Sequence, residues 1–460
     1  MRALAILSLS TTLLAGCSFT TASGLSECES SADCGENQVC ARNFCLPQPA
    51  GCGERYGDLS ADAVQIGAVL PLSLSAINPA LGKDESEVQG LNAIRLALDE
   101  INDRGAAGKK LTLHVCDTAA DPARTAAQTE WLVNEKKIVA LLTAGSSQTL
   151  AAAAVTLPKG VLTMSSSGTS PELTNREDNT KLGLLWRTAP SDAIQGKVIA
   201  NLLLNDAEFS AVQRVGILYL NDAYGQGLFN VITEQLGTAR QVRAVPYARR
   251  VESVDATLSQ IDTFDPDLTV MVGFEDDVSR FVKRAAASSN MKPGVGHRWF
   301  FSDSAKDAAL LSDATVSAQI QGTYGTAPAQ GAGQAFSAFR SRFISIHTAD
   351  PSNFSFTSHS YDSMYLFGLA VAYSQGTSNS VTGLKMAEGL TKMASGTTIQ
   401  LTSSNFTQAA SELAAGRSID VEGASGSLLF DSAGEAPSPI ELWQVSGDTF
   451  LSVRNVPPPP

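Results

Sequence analysis

The sequence is poor in the residue types on which metal-dependent and hydrolytic enzymes rely. Only four histidines occur among 460 residues, and their positions show no spacing typical of metal ligands. The Gly-x-Ser-x-Gly turn that exposes the nucleophile of the α/β-hydrolases is missing. The 33 lysines and arginines are scattered among 46 acidic residues, which argues against a nucleic-acid partner. We therefore expect a protein that is not an enzyme and that carries no metal and no cofactor.

Long apolar runs are also scarce, and only the N-terminus has one. The run over residues 3–15 is too short to span a bilayer as a permanent helix, so it predicts a signal peptide over residues 1–16. Residues 14–17, LAGC, resemble the lipobox of bacterial lipoproteins, which implies lipidation of Cys17 and a periplasmic protein held at a membrane surface. Ser18 after the cysteine favours the outer membrane. The alternative is an ordinary secretory signal whose Cys17 stays free or pairs elsewhere.

Apart from Cys17, the remaining cysteines are even in number, and disulfides persist in exported chains. Four of them lie in a short segment with too little apolar content to fold without crosslinks. The disulfide candidates are Cys28, Cys34, Cys40, Cys45, Cys52 and Cys116. Many pairings are open, and the preferred set joins Cys52 to Cys116 with two bonds inside the short segment. Zinc is the competing interpretation, but no Cys-x2-Cys pair and no nearby histidine support it.

The body of the chain alternates short apolar runs with segments of helical spacing, which predicts doubly wound parallel sheets. The pattern begins again after residue 187, and the body is too long for one core, so we expect two α/β lobes. The predicted organisation begins with a signal peptide (1–16) and a lipidated tether with a cysteine-rich module (17–62). Lobe 1 covers 63–187 and 326–424, and lobe 2 covers 188–325 and 425–455, with closing strands at 426–430 and 440–445. A proline tail covers 456–460.

Two small polar loops follow the strands predicted over residues 139–142 and 161–164. Strands joined by a helical crossover lie parallel, so both loops leave the sheet at the same edge. The first loop ends at Ser146, where a helix begins, and a helix start offers free N–H groups and a positive dipole end. A small carboxylate suits such a place. The alternative is that these serines and threonines only cap helices and form turns.

Two features of the second half allow a functional and a structural interpretation. Gly225 and Gly227 after a predicted strand are a fragment of the dinucleotide-binding motif, but Asn230 takes the place of its third glycine, so close packing is the better explanation. Asp303 follows the strand predicted over residues 299–302, at the edge where open α/β sheets bind ligands. It can pair with a cation there, or it can cap the next helix.

Short motifs run through the body in one order. They are IGAVLPL (66–72), ALGK (80–83), ALDEIN (97–102), Asp117 with DP (121–122), GSS (145–147), MS (164–165) with TSPELT (169–174), WRT (186–188), YGQG (224–227), SD (302–303) and YD (361–362). In these motifs the chain resembles the type I periplasmic solute-binding proteins, in particular the leucine/isoleucine/valine-binding group, over residues 63–445. The resemblance implies two lobes joined by three chain crossings that close on a ligand by hinge motion.

The resemblance also implies a ligand site. Ser146 and Thr169 would bind an α-carboxylate through hydroxyl and backbone N–H groups, and the Ser167 carbonyl with Asp303 would take the ammonium. The candidate ligand-binding residues are Ser146, Ser147, Ser167, Thr169, Tyr224, Phe274 and Asp303. The last three belong to the second lobe, where the two aromatic residues would close the site. A phenylalanine at 274 stands where relatives often carry tyrosine.

The sequence departs from the family in three features, which bear on the identity of the ligand and on the role of the protein. Ala120 and Gly145 occupy the positions of the family's small disulfide, residues 73–79 (SLSAINP) are extra residues near the mouth of the cleft, and the cysteine-rich module is unusual. We expect a lipid-anchored protein that captures an amino acid or a similar small polar solute for an ABC importer. The alternative is an outer-membrane lipoprotein that uses the same fold to sense a ligand or to regulate an envelope enzyme.

Overall fold

The computed structural model describes residues 26–35, 38–41, 43–174 and 183–457. The predicted signal peptide, Cys17 and the last three prolines lie outside the described residues. The chain forms two compact units that divide between Ala50 and Gly51. Within the described ranges, no helix is both long enough and apolar enough to cross a membrane.

The unit before Gly51 is the cysteine-rich module. Its antiparallel hairpin consists of β1 (Gln38–Ala41) and β2 (Phe44–Pro47). Disulfides join Cys28 to Cys40 and Cys34 to Cys45. Because the segment has few apolar side chains to bury, these two crosslinks supply the constraint that a hydrophobic core would otherwise give.

The first lobe contains a six-stranded sheet with the order β3-β5-β4-β6-β7-β8. All neighbours are parallel except β3, which runs antiparallel to β5 at the edge. Its strands are β3 (Cys52–Gly57), β4 (Val64–Leu70), β5 (Leu111–Asp117), β6 (Ala140–Thr143), β7 (Leu162–Ser165) and β8 (Leu185–Arg187). The helices between them are α1 (Glu85–Arg104), α2 (Pro122–Trp131), α3 (Ser146–Thr156) and α4 (Pro171–Thr174).

The second lobe begins after β8 and is built on the same alternation. Its parallel strands are β9 (Arg214–Leu220), β10 (Gln241–Tyr247), β11 (Leu268–Val272), β12 (Arg298–Phe301) and β13 (Tyr324–Pro328). Its helices are α5 (Asp192–Asn205), α6 (Ala223–Leu236), α7 (Asp255–Phe264), α8 (Glu275–Ala285), α9 (Ala308–Ser312) and α10 (Ala314–Gln319).

After β13 the chain returns to the first lobe and then crosses back once more. The returning elements are α11 (Gln334–His347), α12 (Thr357–Ser378), α13 (Gly383–Leu390), β14 (Thr397–Gln400), α14 (Phe406–Ala414), β15 (Ile419–Gly423) and β16 (Gly426–Ser427). Finally β17 (Ile440–Ser446) and β18 (Thr449–Val456) join the second sheet, whose order is β10-β9-β11-β12-β13-β17-β18. The predicted fold class, two α/β lobes with three crossings, is confirmed.

The helix α12 is the centre of the first lobe. Its residues from Thr357 to Ser374 are all buried, because apolar and small side chains surround the whole helix rather than one face. It packs closely on α1, where a side chain at Gly368 would press on the Ile101 side chain. This contact fixes a returning helix against the first helix of the lobe.

The closing part of the chain differs from the prediction. The strand predicted over residues 426–430 is two residues long and pairs with β15 in a small sheet of β14, β15 and β16. The apolar residues 428–430 that suggested a strand follow the two paired residues, and they lie outside the ladder with β15. The second sheet is closed instead by β17 and β18. The strand β18 was not predicted, because its SVRN sequence is polar and mostly exposed at the edge of the sheet.

The edge strand β3 is held by a covalent bond as well as by its ladder. A disulfide joins Cys52 to Cys116 on the neighbouring strand β5, which is the pairing preferred from the sequence. Replacing both cysteines by alanine should lower the free energy of unfolding by about 2–4 kcal/mol, because the bond closes a long loop in the unfolded chain. Denaturant unfolding followed by tryptophan fluorescence measures this loss.

All four tryptophans lie after Gly51, so the same signal offers a control. Replacing Cys34 and Cys45 by alanine removes a disulfide of the other unit and should leave the tryptophan transition unchanged. An unaltered transition in the variant without Cys52 and Cys116 would show that the β3 disulfide contributes nothing to the stability of the lobes.

Candidate functional site

The loops that follow the parallel strands of both sheets meet at one cavity of about 230 Å³. The first lobe contributes the segments after β4, β5, β6 and β7, and the second those after β9, β10, β11 and β12. This is the edge at which open α/β sheets bind ligands. Six of the seven predicted ligand-binding residues line the cavity: Ser146, Ser147, Ser167, Tyr224, Phe274 and Asp303.

The start of α3 forms the first-lobe wall. Gly145 precedes the helix with φ 76°, a conformation that favours glycine, and offers no side chain to cap the helix. The N–H groups of Ser146, Ser147 and Gln148 therefore have no partner within the helix. Ser167 accepts a hydrogen bond of 2.9 Å from the Gly145 N–H, which ties the neighbouring loop to this helix start. Free donors and the helix dipole make this wall suited to an anion.

The hydroxyl of Ser146 has a structural role as well. Its Oγ accepts hydrogen bonds from the N–H groups of Thr169, at 3.2 Å, and Ser170, at 3.1 Å. The loop after β7 is thereby fastened to the start of α3. The hydroxyl hydrogen of Ser146 remains available to donate to a ligand.

Thr169 is the predicted ligand-binding residue that the structure does not bring to the cavity wall. Its backbone N–H is taken by Ser146, and its hydroxyl donates to Asp192 Oδ2 at 2.9 Å. The side chain is 1% exposed and faces the start of α5 rather than the cavity. Thr169 connects the wall at α3 with the beginning of the second lobe.

Asp303 is the principal acid of the second-lobe wall. It is 1% exposed, and its Oδ1 accepts hydrogen bonds from the Tyr224 hydroxyl, at 2.6 Å, and from Gln195 Nε2, at 3.2 Å. Its Oδ2 is buried and accepts no hydrogen bond. Burial raises the pKa of Asp303 to about 6, so the carboxyl is ionised at neutral pH. The free oxygen can accept a hydrogen bond from a cation.

Phe274 and Tyr224 lie side by side on this wall, with ring centroids 5.9 Å apart. The guanidinium of Arg249 lies over the Phe274 ring, 3.8 Å from its centroid, in a cation–π contact. Burial also raises the pKa of Tyr224 well above its ordinary value, and the charge of Asp303 adds to this rise. The tyrosine hydroxyl is therefore a permanent donor to Asp303.

Several polar contacts join the lobes across the cavity. Arg249 of the second lobe pairs with Asp84 of the first, with 3.3 Å between Nη2 and Oδ2. The Ser86 N–H donates to Asp307 Oδ2 at 3.1 Å. The Ser147 hydroxyl donates to an oxygen of Asp222 at 3.4 Å. These contacts hold the lobes together around the space that a ligand would occupy.

Arg249, Glu87 and Glu275 are three of the charged residues of the cavity lining that sequence reasoning missed. A signal was available for two of them. Arg249 follows β10 by two residues, and Glu275 opens α8 shortly after β11. The positional rule that singled out Asp303 applies equally to them. Glu87, in the first turn of α1, has no such signal because acids are common at helix starts.

An ion pair behind the cavity fixes the loop after β7. Arg187 Nη1 donates to the carbonyl oxygens of Gly168, at 3.1 Å, and Ser170, at 3.0 Å. Its Nη2 pairs with Glu435, which the chain reaches just before the third crossing. Both side chains are buried. One guanidinium thus connects the ligand-facing loop with the last segment of the hinge.

Residues 89–448 match the family model described as "Receptor family ligand binding region", and the chain belongs to that family. It is 27% identical over 398 residues to the chemotactic signal transduction system substrate-binding protein BasB of Halobacterium salinarum, which covers 85% of this chain and 89% of that protein. It is 26% identical over 200 residues to the leucine-specific-binding protein of Salmonella typhimurium, and this match spans 43% of this chain and 52% of that protein.

Solved structures show the same fold. The leucine-binding protein LivK of Thermotoga maritima superposes with a TM-score of 0.70 at 18% identity and covers 86% of this chain and 99% of its own. The LivJ protein of Streptococcus pneumoniae, solved with isoleucine, gives 0.68 at 20% identity, with 86% and 99% covered. The resemblance to the type I periplasmic binding proteins of the branched-chain amino acid group is confirmed. The chain is a solute-binding protein for amino acids or other small ligands, and not an enzyme.

The buried Arg187–Glu435 pair generates a stability prediction. Arg187→Met should lower the free energy of unfolding by about 3–5 kcal/mol, because it leaves the Glu435 carboxylate buried without its cation. The double variant Arg187→Met with Glu435→Leu should recover much of this loss, since no unpaired charge remains. Denaturant titration of the parent, both single variants and the double variant forms the cycle. Additive losses in the double variant would contradict the assigned pairing.

Proposed function

We propose that this protein captures an α-amino acid between its two lobes. The observation that carries the proposal is the free Oδ2 of Asp303, a buried carboxylate oxygen in a wall of the same cavity that the start of α3 lines. An α-amino acid has one group for each wall. Its carboxylate binds the N–H groups of Ser146 and Ser147 and the Ser146 hydroxyl, and its ammonium binds Asp303.

The other predicted residues support these two contacts. The backbone carbonyl of Ser167 adds an acceptor for the ammonium, and its hydroxyl keeps the loop on α3 through the Gly145 N–H. Tyr224 orients Asp303 by its hydrogen bond, and Phe274 covers the ligand from the second lobe. Thr169 acts indirectly, because its N–H donates to the Ser146 hydroxyl oxygen and so positions it.

Asp303→Asn tests the ammonium contact. The substitution keeps the shape and the hydrogen bond from Tyr224 but removes the charge, so affinity for an amino acid should fall about tenfold to a hundredfold. Isothermal titration calorimetry with a panel of amino acids measures this. The matched control is Asp448→Asn, which removes the same charge from the exposed turn between β17 and β18 and should leave affinity unchanged.

A pH series separates the role of Asp303 from a loss of structure. The pKa of Asp303 is raised to about 6, so in the parent protein a proton must leave before an ammonium can bind at lower pH. Affinity of the parent should therefore decline as the pH falls below 6, whereas Asp303→Asn should show no such step. If Asp303→Asn binds every amino acid as tightly as the parent does, the ammonium assignment is wrong.

The wider role that we propose is capture of the solute for an ABC importer. The protein would lie in the periplasm, anchored to the outer membrane through a lipid on Cys17. Residues 14–17 support the anchor, and the leucine-specific-binding protein among the relatives supports the amino-acid ligand. A sensor role is the second candidate, because the similar BasB protein belongs to a chemotactic signal transduction system.

Cys17→Ala tests the anchor. The parent protein should sediment with membranes and require detergent for release, whereas the variant should appear in the periplasmic fraction, because it lacks the lipidated sulfur. Immunoblots of the separated fractions provide the readout, and Cys17→Ser serves as a second variant. A variant that still sediments with membranes would contradict attachment through Cys17.

A further inference from the structure

The charges around the cavity do not balance. Among the residues that line it, the acids are Asp84, Glu87, Asp222, Glu275 and Asp303, and the bases are Arg249 and Lys306. Lys306 is already neutralised by Glu441, a buried neighbour on β17, with 2.5 Å between Nζ and Oε2. An α-amino acid with an uncharged side chain is a zwitterion and brings no net charge. Acids without a counter-ion would then remain inside the closed cleft, either as unpaired charges or as protonated groups without a partner.

Most of these acids have an assigned partner. Asp84 pairs with Arg249, and Asp222 caps α6 by accepting from the Gly225 N–H at 2.9 Å. Asp303 accepts from Tyr224 and has been assigned to the ammonium. Glu87 and Glu275 remain. In the ranges that the structure describes, neither carboxylate accepts a hydrogen bond or forms an ion pair, although Glu275 is only 7% exposed.

Arg249 lies close to the segments of both glutamates, because it pairs with Asp84, three residues before Glu87, and covers the ring of Phe274, the residue before Glu275. The charges of Asp84 and Asp307 raise the pKa of both glutamates, and the charge of Arg249 lowers it. Burial is the largest cause in each case, and it raises the pKa of Glu87 to about 8 and that of Glu275 well above its ordinary value. At neutral pH without a ligand, Glu87 therefore holds a proton, and burial favours the protonated form of Glu275 as well.

Their places at helix starts do not account for their position at the cavity wall. Glu87 stands three residues after the cap Asp84, but the capping box is not formed, because the Asp84 N–H donates to the Leu72 carbonyl at 3.0 Å. At the start of α8, Asp276 and Asp277 already supply negative charge for the helix dipole. An acid that serves only a dipole stays in solvent, where desolvation costs nothing.

A metal ion does not fit this arrangement. Among the described residues, the side chains that come close enough together to surround one ion are Cys28, Cys34 and Cys45, whose sulfurs are in disulfides. In the part of the chain that the structure describes, the carboxylates at the cavity therefore do not form a group of three around one ion. Two carboxyl acceptors suit an ammonium or guanidinium group on a flexible stem, which can donate in several directions. Phe274 and Phe356 supply apolar surface in the same cavity for the methylene groups of such a stem.

We propose that Glu87 and Glu275 bind the terminal cation of the ligand side chain, so that the ligand is an α-amino acid with a cationic side chain. The proposal rests on the proposed function, because the α-carboxylate and α-ammonium contacts orient the side chain towards these two acids. It defines a selectivity: a basic amino acid satisfies both acids, whereas an apolar one of the same length leaves both without a partner.

Isothermal titration at pH 7.5 with L-lysine, L-arginine and L-norleucine tests the selectivity. We expect lysine or arginine to bind at least tenfold more tightly than norleucine, which has an apolar side chain of similar length. Glu87→Gln and Glu275→Gln should each weaken binding of the basic ligand about tenfold or more and leave norleucine binding unchanged or improved. Glu85→Gln, which removes an exposed charge from the same helix turn, is the matched control and should change neither affinity.

Proton counting gives an independent readout that a purely structural role would not affect. Titrations of the parent with the basic ligand in two buffers of different ionisation enthalpy, at pH 8, should show net release of protons, because the ligand cation displaces them from Glu87 and Glu275. Norleucine should release fewer. The melting temperatures of both glutamine variants without ligand should match or exceed that of the parent, since a buried acid becomes a neutral amide.

The outcomes separate this proposal from the proposed function. Norleucine or leucine binding as tightly as lysine and arginine would overturn the cationic-ligand proposal and leave the amino-acid site intact. Binding of 1,5-diaminopentane as tightly as lysine would overturn the α-carboxylate contact, and with it the proposed function. Calcium binding that is lost in Glu275→Gln would overturn the organic cation in favour of a metal. Equal loss of lysine and norleucine binding in both glutamine variants would show a structural role for the acids.

Discussion

The whole structure depends on the directionality of parallel strands. A strand joined to its parallel neighbour by a helix must release each polar loop at the same edge of the sheet. Two such sheets face each other here by their loop edges, so segments distant in the sequence, such as those after β6 and after β12, meet in one cavity. The helix starts and acids of the site are consequences of this arrangement, since both occur where strands end.

Because the facing edges are polar, the second constraint on the molecule is the burial of charge. Buried charges in the structure form ion pairs: Arg187 with Glu435 at the hinge, Lys306 with Glu441 at the second-lobe wall, and Arg249 with Asp84 across the cleft. A buried pair contributes little net stability compared with apolar packing, but separating its members is costly. Pairs that span two segments therefore act as positional constraints on the lobes and on the chain crossings.

The sequence was sufficient for the elements with long apolar runs and clear helix starts. The strands β4 and β9 are mostly apolar runs, as expected for strands buried on both faces, and α2 begins with Asp121 as its cap and Pro122 in its first turn. The strands β14, β15 and β18 escaped prediction because they are rich in polar residues and lie in a small sheet or at an edge, where pairing rather than burial defines them.

The position of Thr169 could not be predicted either, since it is turned away from the cavity by the hydrogen bonds that it donates to Ser146 and Asp192 in other elements. Contacts between lobes leave no local pattern in the sequence, and the pairing of Arg249 with Asp84 is one such case.

The disulfide of the edge strand has a mechanical consequence. A force that pulls the chain at Gly51 reaches β3 first, and an antiparallel edge strand alone would resist it only through its ladder of hydrogen bonds. Because Cys52 is bonded to Cys116, the load passes at once to β5, which lies between β3 and β4 in the first sheet. The covalent bond therefore makes the first lobe the fixed body of the molecule under tension. The second lobe, which the chain enters only after β8, stays outside the path of the load.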